Sequence, residues 1–224
     1  MTQSGKTSLA AFVVIIVVLV YLFLSSNHFT AAEIKWTGLS FLDETQLNEH
    51  VDFQACNVLQ LDRRALERRV EQHPWVEDAV VRWQWPNTIE VEISERLPIA
   101  SVTGPDGILL IDRMGVLLPP PANWYGVELP QVVNVDLTSA EQLKSTARIL
   151  SEIPLEVMVR LERWDAADRA LITKEGTRIL LGELEDLHSK FALLELIWTD
   201  LASQGEVPAV IDLRVLKNPV VRTQ

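Results

Sequence analysis

The stretch Pro74-Trp75-Val76-Glu77-Asp78-Ala79-Val80-Val81-Arg82-Trp83-Gln84-Trp85-Pro86-Asn87-Thr88-Ile89-Glu90-Val91 reads as two strands joined by a turn. In the first strand, expected over 75–84, Val81 and Trp83 share one side, and Trp85 continues it. Pro86-Asn87 supplies the turn, because proline pre-sets its backbone angle and asparagine tolerates tight bends. The second strand, expected over 89–93, alternates Ile89, Val91 and Ile93 with Glu90, Glu92 and Ser94. That period of two is the signature of a half-buried sheet.

Two helices and one more strand precede this hairpin. Glu33-Ile34-Lys35-Trp36 alternates polar and apolar residues as a strand does, and Gly38 closes it. Asp43 is placed to cap a helix, with Gln46 three residues on and Leu47 and Val51 on one face. A second helix starts at Asp62, with Leu61 and Leu66 spaced as a hydrophobic staple and Val70 extending the stripe. Arg63, Arg64, Arg68 and Arg69 alternate with Glu67 and Glu71, so this face reads as solvated and ion-paired rather than as a nucleic-acid patch. His73-Pro74 is expected to end the helix, since the residue before proline is pushed out of the helical region. The order is strand, helix, helix, strand, strand, with both helices on one sheet face.

Beyond the hairpin comes Glu95-Arg96-Leu97-Pro98-Ile99-Ala100, where the second proline is expected to stop the strand. Residues 102–118 then read as another hairpin, turning at Gly104-Pro105-Asp106-Gly107, with a strand over 108–112 and a reversal at Arg113-Met114-Gly115. The glycine pair lacks the lysine and helix start of a phosphate loop. Pro119-Pro120-Pro121 opens a connector to Pro130 bearing the exposed-looking Trp124 and Tyr125. Thr138-Ser139-Ala140-Glu141 is a capping box before a helix with Leu143, Ala147 and Leu150 on one side. Strands are expected over 155–164, 170–174 and 178–181, with Glu175-Gly176 turning between the last two. After Gly182, Leu184, Leu187, Phe191, Leu194, Ile197, Trp198 and Leu201 form the stripe of a long amphipathic helix that Gly205 ends. Two final strands are expected over 209–215 and 219–222.

The ordered set resembles one family. Proline-tryptophan-valine at 74–76, the tryptophan-proline turn at 85–86 and glutamate-arginine-x-proline at 95–98 are similar to the POTRA domain of FtsQ/DivIB cell-division proteins. Leucine-glycine at 181–182 before the lysine-bearing helix, and Ile211-Asp212-Leu213-Arg214, resemble that family's C-terminal domain. The resemblance implies an α+β chain: a cytoplasmic tail (1–8), a transmembrane helix (9–26), a β-α-α-β-β POTRA domain (33–100) and a C-terminal mixed β-sheet domain with two flanking helices (101–224). It also implies a scaffold of the division complex in the inner membrane, without a cofactor, whose partners are FtsB- and FtsL-like proteins. The expected mechanism adds an extended partner segment beside the last strand. The residues expected at that site are Leu213, Arg214, Val215, Leu216, Val220, Val221 and Arg222, flanked by Phe191. Many relatives carry an aromatic residue after the isoleucine-aspartate-leucine-arginine run, where this chain has Val215. The plainer reading of Val215 and Val220 is core packing.

Composition bounds the alternatives. The chain has 224 residues, 48% hydrophobic and 23% charged, with a net charge of −11 and no acidic residue before Glu33. Disorder and nucleic-acid binding both fit poorly. Residues 9–24 carry no charge, and Lys6 lies on the N-terminal side, which favours a membrane anchor with a cytoplasmic N-terminus. A signal peptide cleaved near Thr30-Ala31-Ala32 is the rival. The lone Cys56 excludes an intrachain disulfide and reads as a small buried hydrophobe. His28, His50, His73 and His188 have no metal-ligand spacing, and Asp165 and Asp168 flank a turn rather than a cleft. No catalytic or metal site is expected. A second reading, a POTRA-bearing chaperone or export factor for membrane proteins, stays open. Such proteins carry several POTRA copies or a barrel, and one candidate copy is legible here.

Overall fold

The computed structural model describes residues 3–121, 124 and 128–223, with side chains from Ala11 onward in the first helix. The chain divides into two units, Met1–Arg96 and Leu97–Gln224. Helix α1 (Gln3–Leu24) opens the first. Its apolar side chains from Phe12 to Leu24 are exposed. Among the described residues, no helix is both long and apolar enough to cross a membrane. Leu9 and Ala10, where the expected span begins, are described in backbone only.

The rest of the first unit follows the expected order. It runs β1 (Thr30–Ala31), β2 (Ile34–Thr37), α2 (Glu44–Val51), β3 (Cys56–Asn57), α3 (Arg63–Val70), β4 (Val76–Gln84) and β5 (Thr88–Glu95). The sheet order is β2-β5-β4, with β2 parallel and β4 antiparallel to β5. Ile89, Val91 and Ile93 are buried, as are Ile34, Trp36, Ala79 and Val81, while Lys35, Arg82 and Glu92 are exposed on the opposite parity. Leu47 and Val51 of α2 and Leu66 and Val70 of α3 complete this core. One sheet face is therefore covered and the other is wet, as alternation demands.

Local chemistry sets the helix starts. Asp43 accepts from Gln46 N at 2.9 Å in a reciprocal capping box, and Asp62 accepts from Ala65 N at 3.1 Å. Helix α3 ends at Val70 rather than at His73-Pro74: its last turn closes on Glu71, and a turn occupies the intervening residues. Gly38 has φ +84°, and a Cβ there would lie 2.2 Å from the Ile93 carbonyl oxygen. Only glycine allows the chain to leave β2 so close to β5. The small β1–β3 ladder had no sequence signal. Trp85 departs from expectation. It precedes the cis Trp85–Pro86 bond at the hairpin tip and is 68% exposed, not on the buried face with Val81.

The second unit contains β6 (Pro98–Gly104), β7 (Gly107–Asp112), β8 (Leu117–Leu118), β9 (Gln131–Val133), α4 (Ala140–Glu152), α5 (Leu155–Met158), β10 (Leu161–Asp165), β11 (Ala170–Thr173), β12 (Arg178–Leu180), α6 (Leu187–Gln204), β13 (Pro208–Asp212) and β14 (Val220–Thr223). The strands form one mixed sheet in the order β14-β13-β12-β11-β10-β9-β6-β7-β8. Leu143, Ala147 and Leu150 of α4 and Leu187, Phe191 and Leu194 of α6 share its core with Val102, Ile111, Leu171, Ile179 and Ile211.

Several boundaries move. Pro98 opens β6 instead of stopping a strand, a position where its missing N–H costs little. The cap of α4 is Ser139, which accepts from Gln142 N, while the Thr138 hydroxyl turns back to Asp136. The strand expected from Leu155 is first a helical turn, because the Pro154 carbonyl accepts from both Val157 and Met158 N. Helix α6 starts at Leu187, behind a left-handed Asp186, so Leu184 precedes it. Trp124 is half-buried, and Tyr125 lies outside the described residues.

Candidate partner-binding edge

Strand β14 is the last strand of the nine-stranded sheet and, among the described residues, pairs only with β13. The register joins Asp212 to Val220, Ile211 to Val221 and Val210 to Arg222, with a bulge before Pro208 meets Thr223. All four β14 residues are exposed. An antiparallel edge strand turns alternate N–H and C=O pairs outward, so β14 presents an unpaired row for a further strand. The opposite edge, β8, is only two residues long and half-buried or buried.

The approach to this edge is a tight reversal. The expected strand over 209–215 ends at Asp212 because the following groups are used locally. Leu213 N donates to the Leu180 carbonyl at 2.9 Å, Arg214 N to Asp212 Oδ1 at 3.1 Å, and Asn218 N to the Val215 carbonyl at 3.1 Å. The Arg214 guanidinium grips the Asp212 carboxylate, Nε to Oδ1 at 2.9 Å and Nη2 to Oδ2 at 2.6 Å. This hydrogen bonding, together with the charges of Arg214 and Arg222, holds the Asp212 carboxyl below its ordinary value. Gly182, at φ +64°, lies under the Arg214 stem, where a Cβ would approach Cγ to 2.7 Å.

The structure separates the expected site residues into two sets. Val215, Val220 and Val221 are 61%, 43% and 37% exposed, Arg214 and Arg222 are exposed, and Leu216 is half-buried. These six lie on β14 or on the reversal before it. Leu213 and Phe191 are core residues, 0% and 2% exposed, packed in the same cluster as Ile211 of β13 and not on the open edge. Lys217 stands exposed in the same reversal. With Arg222 it makes the edge locally basic in an acidic chain.

Sequence reasoning missed the role of Lys190. Its side chain is buried, and its ammonium donates to the Leu181 carbonyl at 2.8 Å and to the Glu183 carbonyl. Burial pushes its pKa down, and Asp186, Glu183 and Glu185 act against that shift. The signals available were a lysine in an otherwise apolar helical stripe and its place in the leucine-glycine and lysine-bearing-helix resemblance, neither of which gives its backbone partners. The bond ties α6 to the end of β12, the strand that carries β13 and β14. Asp165 uses its carboxylate on Ala167 N, Asp168 N and Asn134 Nδ2, which is turn chemistry. Among the described residues, no group of three or more His, Cys, Asp or Glu is placed to hold a metal ion. Cys56 is half-buried, and burial raises its thiol pKa.

A β-α-α-β-β unit with both helices on one sheet face has the element order of a POTRA domain, here followed by a mixed sheet ending in an open strand. Residues 29–96 match the FtsQ-type POTRA domain, and residues 100–214 match the C-terminal domain of cell division protein FtsQ/DivIB. The chain belongs to the FtsQ/DivIB family of membrane-associated division proteins. It is 27% identical over 206 residues to cell division protein FtsQ of Myxococcus fulvus, covering 85% of this chain and 71% of that one. To the FtsQ of an Anaeromyxobacter species it is 28% identical over 206 residues, covering 84% and 68%. The extracytoplasmic domain of Geobacillus stearothermophilus DivIB aligns with 38% of this chain and 76% of its own, at 16% identity and a TM-score of 0.30, too distant a likeness to carry an argument.

Proposed function

We propose that this protein is a non-enzymatic, single-pass scaffold of the division complex that recruits FtsB- and FtsL-like partners by adding a partner strand to β14. The carrying observation is the position of β14: a fully exposed strand at the end of the sheet. Main-chain bonds along Val220, Val221 and Arg222 supply affinity, and alternate side chains supply selectivity. Arg214, Val215 and Leu216 border the same edge, while Leu213 and Phe191 are buried in the core. The basic Lys217 and Arg222 favour a partner segment with acidic residues.

In this reading α1 is the anchor. The expected span over 9–26 extends about 27 Å at 1.5 Å per residue, near the lower limit for crossing a bilayer's hydrocarbon core. Lys6 before the apolar run favours a cytoplasmic N-terminus, with both units on the far side of the membrane; the division site follows from the family. The decisive experiment is capture of an FtsB-like partner by the full chain and by a chain ending at Asn218. Loss of capture with thermal stability retained supports strand addition. Undiminished capture overturns it.

A further inference from the structure

The C-terminal end of α1 is fastened to the first unit by both polar and aromatic contacts. Asn57 Nδ2 donates to the Leu24 carbonyl at 2.7 Å, satisfying an end carbonyl of the helix. Val58 N donates to the Phe29 carbonyl at 2.9 Å, which fixes the adjoining turn. Phe23, in the last turn of α1, meets Phe29 edge-on at 5.4 Å. Phe29 in turn meets His28 at 5.4 Å and Trp85 at 6.3 Å, and His28 meets Trp85 at 5.7 Å. A continuous aromatic ridge therefore runs from the apolar helix to the tip of the β4–β5 hairpin.

The burial along this ridge is uneven. Phe29 is in the core, whereas Trp85 is 68% exposed and Leu59, beside the Asn57 turn, is 42% exposed. An indole left open to water forfeits a large apolar contribution, and tryptophan is favoured where one side is apolar and the other wet. Trp85 lies two ring contacts from Phe23, roughly 10 Å at typical ring spacing. The interfacial layer outside the hydrocarbon core is about 5–8 Å deep on each side. Trp85 thus stands exposed at the end of a chain of ring contacts that begins in the last turn of α1, at a separation comparable with the depth of the layer into which α1 would emerge.

We infer that Trp85 inserts into the interfacial layer of the bilayer, so that the POTRA hairpin tip is docked on lipid at a fixed height. The inference rests on α1 spanning the membrane. It assigns the tryptophan-proline turn a lipid-binding role in addition to its role in the fold.

The test uses the full chain in phosphatidylcholine–phosphatidylglycerol vesicles, with bromine carried on the acyl chains close to the headgroup. Subtracting the emission of Trp85→Phe from that of the unaltered chain isolates Trp85, because phenylalanine keeps an aromatic ring against His28 and Phe29, and a matching circular dichroism melt checks that the variant is folded. The expected result is loss of most Trp85 emission to brominated lipid, with a blue-shifted maximum. Emission untouched by bromine but quenched by acrylamide, in a chain that resists alkaline carbonate extraction, overturns the docking while leaving the anchor intact. Release of the chain by carbonate overturns the anchor reading, and the docking with it.

Discussion

The Glu67 carboxylate accepts the backbone N–H of Val81 at 3.0 Å, so a side chain from α3 occupies part of the outer edge of β4. Strand β4 is an edge of the POTRA sheet, and the glutamate uses up a group that a foreign strand would need. No described side chain treats β14 in this way. The two sheets thus differ in which edge is open, a distinction that bears directly on where a partner strand adds. Replacing Glu67 by Ala is expected to cost about 1–2 kcal/mol, because Val81 N–H loses a charged acceptor. Hydrogen exchange at Val81 should accelerate more than at Val91 in the central strand, and sedimentation should show increased self-association.

Glu95 closes the first unit in a comparable manner. Its Oε1 accepts Ser40 N at 2.8 Å and Leu42 N at 3.0 Å, and its Oε2 accepts Phe41 N at 2.7 Å. Three successive donors converge on one carboxylate, which gives the glutamate of the Glu95-Arg96-Leu97-Pro98 run its physical use. Glu95→Ala is expected to lose about 2–3 kcal/mol, the range for hydrogen bonds to a charged group. Glu95→Gln, which keeps an acceptor oxygen, should lose less. Urea denaturation of both variants checks the order.

Adjacent residues of β14 should respond differently to proline. Of Val220 and Val221, one N–H faces β13 and the other faces outward, because antiparallel strands alternate. One of Val220→Pro and Val221→Pro should lower the melting temperature by breaking the ladder. The other should leave it unchanged and still abolish partner capture. Equal capture by both variants would contradict backbone-mediated recognition.

The Asp212–Arg214 pair gives a pH signature. Hydrogen bonding to Arg214 holds the Asp212 carboxyl below its ordinary value of 3.8 in the folded chain. The folded state therefore binds fewer protons than the unfolded one between the two values. The pair's contribution to stability is present above 3.8 and is lost as pH falls through the lower, folded value. A double-mutant cycle of Asp212→Asn and Arg214→Gln should show a coupling at neutral pH that fades under acid conditions. A pH-independent coupling would sink this account.

Lys190→Met should destabilise the second unit by about 1–3 kcal/mol, since it leaves the Leu181 and Glu183 carbonyls without their donor. Methionine preserves the apolar stem, so the loss isolates the ammonium. Circular dichroism melts measure it, and hydrogen exchange should localise the change to the junction of β12 and α6.

Local rules made much of the fold legible in the sequence. The alternation at Ile89, Val91 and Ile93 is a property of consecutive residues, and the structure buries all three. The caps at Asp43 and Asp62 and the stop at Gly205 depend on neighbours within four positions, and all stand where expected. Local rules failed where two of them competed. Pro154 began a helical turn in a run that otherwise suited a strand, and Thr138 and Ser139 were both able to cap α4.

By itself, then, the sequence determined the order of the longer helices and strands, most of the faces they bury and the resemblance to one family, because periodicity and capping act over a few residues, whereas the short β1, β3 and β9 and the turn α5 carried no such signal. Only the tertiary structure decided that β14 is an edge, that Leu213 and Phe191 are buried in the core, that Trp85 stays exposed and that Lys190 is buried on backbone carbonyls. Being an edge is a property of strand order across the whole sheet. No strand's own residues encode it, since an exposed valine and a buried one are the same residue until the neighbouring strand is in place.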